Sequence, residues 1–166
     1  MNATHTALAG KYLTFQLGDE HYGVEILKVQ EIMGMLPITH VPRAPEAARG
    51  VINLRGRIIP VTGLRARFGL ESQDDTERTC IVVVQVADTE RPLTTGLLVD
   101  EVSEVVDIKA DQIESAPELG SGADTAFLLG LGKVGQKVIM LLDVDRLFAH
   151  EELALAADAS DAVETA

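Results

Sequence analysis

Two stretches of this chain occur twice, in the same order. "GVEILKVQEI" (23–32) lies over "GLLVDEVSEV" (96–105) at an offset of 73, with Gly23/Gly96, Val29/Val102 and Glu31/Glu104 identical. "GVINLRGRIIPVTGLRARF" (50–68) lies over "GLGKVGQKVIMLLDVDRLF" (130–148) at an offset of 80, ending on Phe68/Phe148. The order strand pair, long strand, hairpin, short helix is therefore run through twice. A unit of about 70 residues repeated once restricts the fold to two similar small bodies.

Those bodies are β-rich. "YLTFQL" alternates, with Leu13, Phe15 and Leu17 on one face and Tyr12, Thr14 and Gln16 on the other, as in a half-buried strand. "VEILKVQEI" is ambiguous, because Ile26, Val29 and Ile32 also recur at helical spacing. Its second copy carries Val99, Val102, Val105 and Val106, and that β-branched density assigns both copies to strand. "CIVVVQV", "FLLGLG" and "KVIMLLDV" complete the strands. Short helices are expected between Pro45 and Gly50, in "LRARFGL", in "KADQIES" and in a C-terminal "DRLFAHEELALAAD", where Asp145 stands near the favourable positive end. The reading is all-β with short helices: two small barrels side by side, and a C-terminal helix. With 4% aromatic residues and no Trp, the core must be aliphatic. Barrels this small bury little alone, so they are expected to share an apolar seam. Residues 1–10 read as a disordered arm and 11–155 as the folded body. The polar "ESQDDTER" marks a junction near 71–79, and 156–166 form a frayed acidic tail.

The net charge of −12 makes nucleic acid and anionic membrane unlikely partners. No apolar run reaches the length of a membrane span, and the N-terminus lacks a secretory pattern, so a cytoplasmic location with no direct membrane insertion is expected. The lone Cys80 opens an apolar strand and reads as a buried hydrophobe. His5, His21, His40 and His150 are too scattered for a metal site, and no cofactor is expected. "GLGKVG" (130–135) matches a dinucleotide fingerprint by letter, but a strand follows it rather than a helix; its glycines read as a hairpin turn and a bulge. "DVD" (143–145) reads as a helix cap. Nothing assembles a nucleophile, a base and an oxyanion site, so no catalysis is expected; an enzyme built from carboxylates that only the fold brings together is the remaining alternative.

The most β-prone run, "RGVINLRGRIIPV" (49–61), is interrupted by Arg55-Gly56-Arg57. Gly56 permits the backbone angle of a tight turn. Arg57 reads as a solvated tip residue as readily as a functional one. Arg55, if its turn faces the seam, needs a carboxylate, and Glu31 is the candidate within the same unit.

"YGVEILKVQEI", "VPRAPEAARGVINLRGRIIPV" and "GLLVDEVSEVVDI", in that order, closely resemble the bacterial chemotaxis coupling proteins of the CheW family, over roughly residues 12–155. The resemblance implies two five-stranded SH3-like barrels. It also implies a non-catalytic adaptor between the cytoplasmic tips of chemoreceptors and the regulatory domain of the chemotaxis histidine kinase, recruited to receptor arrays at the inner face of the membrane. A coupling module of a related system for surface motility or gene regulation is the nearest alternative. By resemblance the receptor-binding groove between the barrels matches Val29, Glu31, Ile32, Arg55 and Val102 here, with Gly56 beside them and Gly96 at a second family glycine. Kinase-binding residues are not assigned. One departure is visible: Thr62-Gly63 stand where the family usually has an apolar residue and Asp, which puts the capping of the following helix in question and leaves the groove positions untouched.

Overall fold

The computed structural model describes residues 8–44, 47–71, 73–86, 93–115 and 127–148. Eleven strands are described: β1 (Gly10–Leu17), β2 (Glu20–Glu25), β3 (Val29–Gly34), β4 (Ala48–Leu54), β5 (Arg57–Gly63), β6 (Cys80–Val86), β7 (Leu93–Val99), β8 (Glu101–Ile108), β9 (Ile113–Glu114), β10 (Leu128–Val134) and β11 (Lys137–Leu142). Two one-turn helices, α1 (Leu64–Arg67) and α2 (Val144–Leu147), follow β5 and β11, as the repeat requires. Short 3-10 turns at Ile26–Lys28 and Ala110–Gln112 complete the described elements.

The strands form two sheets. Sheet A has the order β8-β1-β2-β11-β10-β9 and sheet B the order β3-β6-β7-β5-β4. Neither sheet is one repeat. The chain leaves sheet A at the 3-10 turn after β2 and returns to it at Asp100, so each repeat's opening hairpin completes the other repeat's sheet. The polar connector at 71–79 joins β5 to β6 within sheet B; it separates the two repeats but not the two sheets. Register preserves the duplication: β2 runs parallel to β11 with Gly23 opposite Leu141, and β7 runs parallel to β5 with Gly96 opposite Val61. A Cβ on Gly96 would lie 2.8 Å from Cγ2 of Ile81, and one on Gly23 would lie 3.2 Å from Cγ2 of Ile139. Glycine at both places lets the neighbouring core side chain fill the space a methyl would need.

Both faces of the inner strand β6 are covered over Ile81–Val84, which is why "IVVV" is apolar without a break while Gln85 is exposed. Alternate residues of β6 divide between two cores. Ile81 and Val83 join Ile52, Ile59, Val61 and Leu98 in a core belonging to sheet B. Val82, Val84 and Val86 join Leu13, Phe15, Leu17, Leu97 and Phe148 in a core shared by the two sheets. Tyr12, Ile108, Ile113, Ile139 and Leu141 form the core of sheet A. The expected seam is the largest of the three. It also gathers the scarce aromatics: Phe15, Tyr22, Phe68 and Phe127 stack in line with centroids 5.8, 5.4 and 4.9 Å apart.

Several local expectations change. Ala48–Gly50 is strand, not the end of a helix; Pro45 lies outside the described residues. Gly50 has φ +141°, and a Cβ there would lie 2.1 Å from the Thr39 carbonyl oxygen, so this glycine admits the Thr39–Val51 bridge. "VEILKVQEI" is strand broken by a 3-10 turn rather than continuous. "TGLLVDEVSEVVDI" breaks likewise at Asp100. The fingerprint-like glycines serve a hairpin: Gly135 is its turn, and β10 bulges between Leu128 and Gly130. Asp143 does cap α2, accepting from the Arg146 N–H at 3.1 Å. At the equivalent place before α1, Gly63 offers no side-chain cap, as the glycine at this position of the first repeat dictates. The N-terminal arm, the loop at 116–126, the C-terminal helix beyond Phe148 and the acidic tail fall largely or wholly outside the described residues.

An ion pair fastens each crossover to the one-turn helix that follows its partner hairpin. Lys28 meets Asp145 at 2.9 Å, and Asp100 accepts from Nε of Arg65 at 2.8 Å, with the sign of the charges exchanged. Asp100 also accepts from the Gly18 N–H at 2.7 Å in the β1–β2 turn. Burial pushes the Asp100 carboxyl up, but its hydrogen bonds from Arg65 and Gly18 and the Arg65 charge outweigh that and hold it below its usual range. A lowered folded pKa means that the stabilisation is present above the unfolded value and is lost as pH falls through the folded one. Asp100→Asn is therefore expected to lower stability at neutral pH by roughly 1 to 2 kcal/mol and to flatten the acid side of the stability profile. Urea unfolding from neutral pH down to about pH 3 measures it; a variant as acid-sensitive as the parent contradicts the assignment.

Candidate functional site

The free edges of the two sheets nearest the shared core are β3 and β8, the repeat-related strands. Each carries a bulge at the same place. β3 is irregular between Val29 and Glu31; across from β8, β1 is irregular between Leu13 and Phe15, opposite Val105 and Val102. In a regular strand, residues three apart point to opposite faces. The extra residue cancels one alternation. Val29 and Ile32 therefore pair with Val84 and Val82, both in the shared core, and lie on that face. Val102 and Val105 pair with Phe15 and Leu13, also in the shared core. Half-buried Val29 and Val102 pack against the shared core from the two edge strands, and Ile32 and Val105, on the same faces, are 43% and 48% exposed.

Of the residues assigned from sequence, Val29, Ile32 and Val102 all lie on the shared-core faces of these two edge strands. Glu31 lies on the other face of β3, opposite Val83 of sheet B's own core, and joins Arg55 at the tip of the β4–β5 hairpin. The pair is bidentate: Arg55 donates to Oε1 at 2.9 Å and to Oε2 at 2.5 Å. The internal partner proposed for Arg55 is thus the one found. The guanidinium is not sunk in the seam, being 70% exposed beside a Glu31 that is 32% exposed. Hydrogen bonding from Arg55, reinforced by its charge and opposed by desolvation, holds Glu31 below the usual carboxylate range; Glu31 in turn raises Arg55.

Arg55 occupies an unusual backbone position. It has φ +52° and Gly56 has φ +88°, a two-residue turn of the kind that fits the strand twist, with Asn53 Oδ1 accepting from the Gly56 N–H at 2.8 Å. The second repeat places Gly135, at φ +61°, where the first places Arg55. A left-handed conformation costs a non-glycine residue on the order of 1 kcal/mol. An arginine kept where glycine is the easier choice is kept for its side chain. Arg57 reaches Thr94 Oγ1 at 3.3 Å and Gly56 is exposed.

Two residues escaped the reading of the sequence. Val105 is the offset-73 counterpart of Ile32, so the repeat itself carried the signal. Leu27, 93% exposed on the crossover two residues before Val29, gave none, because a strand there would have alternated it inward or outward with equal ease.

Residues 11–152 match the family model of the CheW-like domain. The chain is 39% identical over 158 residues to a chemotaxis protein CheW of Klebsiella aerogenes, covering 92% of this chain and 93% of that protein. It is 36% identical over 140 residues to a probable chemotaxis protein CheW of Rhizobium etli, covering 84% and 88%. Among solved structures, the scaffolding protein TtCheW from Thermoanaerobacter tengcongensis superimposes with a TM-score of 0.76 at 35% identity, covering 87% of this chain and 96% of that one.

If Arg55 is held for its side chain, glycine in its place should cost the fold little. Arg55→Gly is expected to leave the urea midpoint close to the parent's, since relief at a positive φ offsets the loss of an exposed pair. Chemical denaturation checks this. A clearly lowered midpoint would make Arg55 a structural residue.

Proposed function

The chain belongs to the CheW-like family, and on that premise we propose that it is a non-catalytic scaffold holding the cytoplasmic tips of chemoreceptors and the regulatory domain of the chemotaxis histidine kinase in one assembly. The observation that carries the receptor half of this reading is the set of exposed apolar residues on the shared-core faces of β3 and β8, which we read as the two walls of one crevice. Its apolar strip of Val29, Ile32, Val102 and Val105 suits one edge of an amphipathic helix, whose anchors recur every three or four residues. Leu27 adds apolar surface beside Val29. The Glu31–Arg55 pair, exposed at the neighbouring hairpin tip, offers donors and acceptors to polar groups of the receptor and so sets register. Arg55 and Gly56 act together, because the glycine turn is what holds the arginine beside Glu31.

The kinase half rests on the family and on the fold. A regulatory domain built of the same two barrels can meet this protein barrel to barrel. Coupling is then geometric: one rigid body contacts both partners, and the shared core makes the two lobes move together. This scaffold acts at the inner face of the membrane by being held at receptors; no helix among the described residues is long and apolar enough to cross a bilayer.

Truncating a central anchor of such an interface costs on the order of 2 kcal/mol, roughly thirtyfold in affinity. Val29→Ala and Val102→Ala are each expected to weaken binding of a soluble chemoreceptor cytoplasmic fragment by about that factor, while the isolated kinase regulatory domain still binds. Calorimetric titration with each partner separately reads this out. Parental receptor affinity in both variants, with the fold intact, rejects the crevice as the receptor site.

A further inference from the structure

The two repeats close their hairpins with different turns. In the first, Arg55 has φ +52° and Gly56 φ +88°, positive at both central residues, as a type I′ turn demands. In the second, Gly135 has φ +61° while Gln136 after it stays out of that region, as in a type II′ turn. Glycine leads the second turn and follows in the first. The strand entering the turn differs too. Asn53 Oδ1 accepts from the Gly56 N–H at 2.8 Å. Its counterpart 80 positions on is Lys133, whose ammonium has no acceptor to offer and instead donates to Glu114 at 2.7 Å. Asn53 is exposed within β4, between buried Ile52 and Leu54, and asparagine is a poor strand former. Core packing gives no reason for asparagine there; its hydrogen bond does.

We infer that Asn53 is a positioning residue for receptor recognition: by holding the Gly56 N–H it keeps the turn in the form that can carry an arginine, and so fixes the Arg55 guanidinium on Glu31. The inference rests on the reading that the Glu31–Arg55 pair sets register with the receptor. Its physical basis is the backbone of the turn. The first central residue of a type II′ turn is a glycine position, so a tip of the second repeat's kind has no place for an arginine there. In the type I′ form Arg55 is left-handed against its intrinsic preference. The bond from Asn53 to Gly56 spans Arg55, so the backbone that carries the guanidinium cannot relax without breaking it. Bidentate pairing needs two donors aimed at one carboxylate, which tolerates little drift of that backbone. Asn53 for Lys133, Arg55 for Gly135 and Gly56 for Gln136 are thus one device rather than three separate differences.

Asn53→Ala removes the acceptor, and Asn53→Asp keeps it. Two measurements read the result: NMR titration of the Glu31 carboxyl in the protein alone, and calorimetric titration with the soluble chemoreceptor fragment. In Asn53→Ala the Glu31 carboxyl should titrate at higher pH than in the parent, back toward its usual range, because the Arg55 hydrogen bond that lowers it is loosened. Receptor binding should weaken roughly fivefold, the size of one hydrogen bond, and Asn53→Asp should bind like the parent. In an Arg55→Gly background, which itself should weaken binding, Asn53→Ala should change affinity no further; a merely structural asparagine would lower it again. An unmoved Glu31 titration in Asn53→Ala overturns the positioning role. So does an additive loss in the Arg55→Gly background, or parental affinity of Asn53→Ala where Arg55→Gly binds weakly. Parental affinity of Arg55→Gly marks a different failure: it takes the Glu31–Arg55 pair out of the receptor contact and overturns the link to recognition, whatever the Glu31 titration shows.

Discussion

Everything in this molecule depends on the core that the two sheets hold in common. Neither sheet could be soluble alone, because the face bearing Val82, Val84 and Val86 on one side and Leu13, Phe15 and Leu17 on the other would be bare. The chain ensures that the faces meet by crossing between sheets twice, so that each repeat contributes strands to both. The two sequence repeats cannot separate without unpairing β2 from β11 and β7 from β5. The two sheets are held to each other by the shared core, the two crossovers and the ion pairs that fasten them.

The apolar residues along β3 and β8 are a by-product of the same arrangement. Where the shared core reaches the edges of the sheets it is bordered by β3 and β8, and the paired irregularities turn two residues three apart onto one face. Free strand edges invite pairing with other chains. Both edges carry acidic residues close to their exposed apolar ones, Glu31 beside Ile32 and Glu104 beside Val105, which opposes edge-to-edge association while leaving a helix able to dock by side chains. The repeat thus built two equivalent walls, and the exchange of Arg55 for Gly135 at the hairpin tips made them chemically different.

Much of this was legible in the residues, and the parts that were not have physical reasons. The duplication, the strands and the shared apolar seam followed from periodicity and β-branched density. Glu31 as the partner of Arg55 followed from charge and unit membership. The helical spacing of Ile26, Val29 and Ile32, set aside in favour of strand, arises because a 3-10 turn and a bulge each displace the strand alternation by one residue, and the sum imitates a period near three. The helix expected before Gly50 failed because that glycine answers to Thr39, a tertiary neighbour that no local rule could see. Strand exchange was illegible for the same reason: it consists of pairings between distant parts of the chain, β2 with β11 and β7 with β5. Family resemblance supplied candidate groove residues on β3 and β8; the reason Val29 and Ile32 share one face lies in the irregularity of β3, matched at Val102 and Val105.

The central claim is that the crevice between β3 and β8 is where the receptor helix lies. Amide chemical shifts of the labelled protein, followed while the chemoreceptor fragment is added, address it most directly. The account predicts that the largest perturbations fall on residues 29–32 and 102–105, on both walls at once. Perturbations confined to one lobe, or centred on β4 and β9 at the far edges of the sheets, would contradict it.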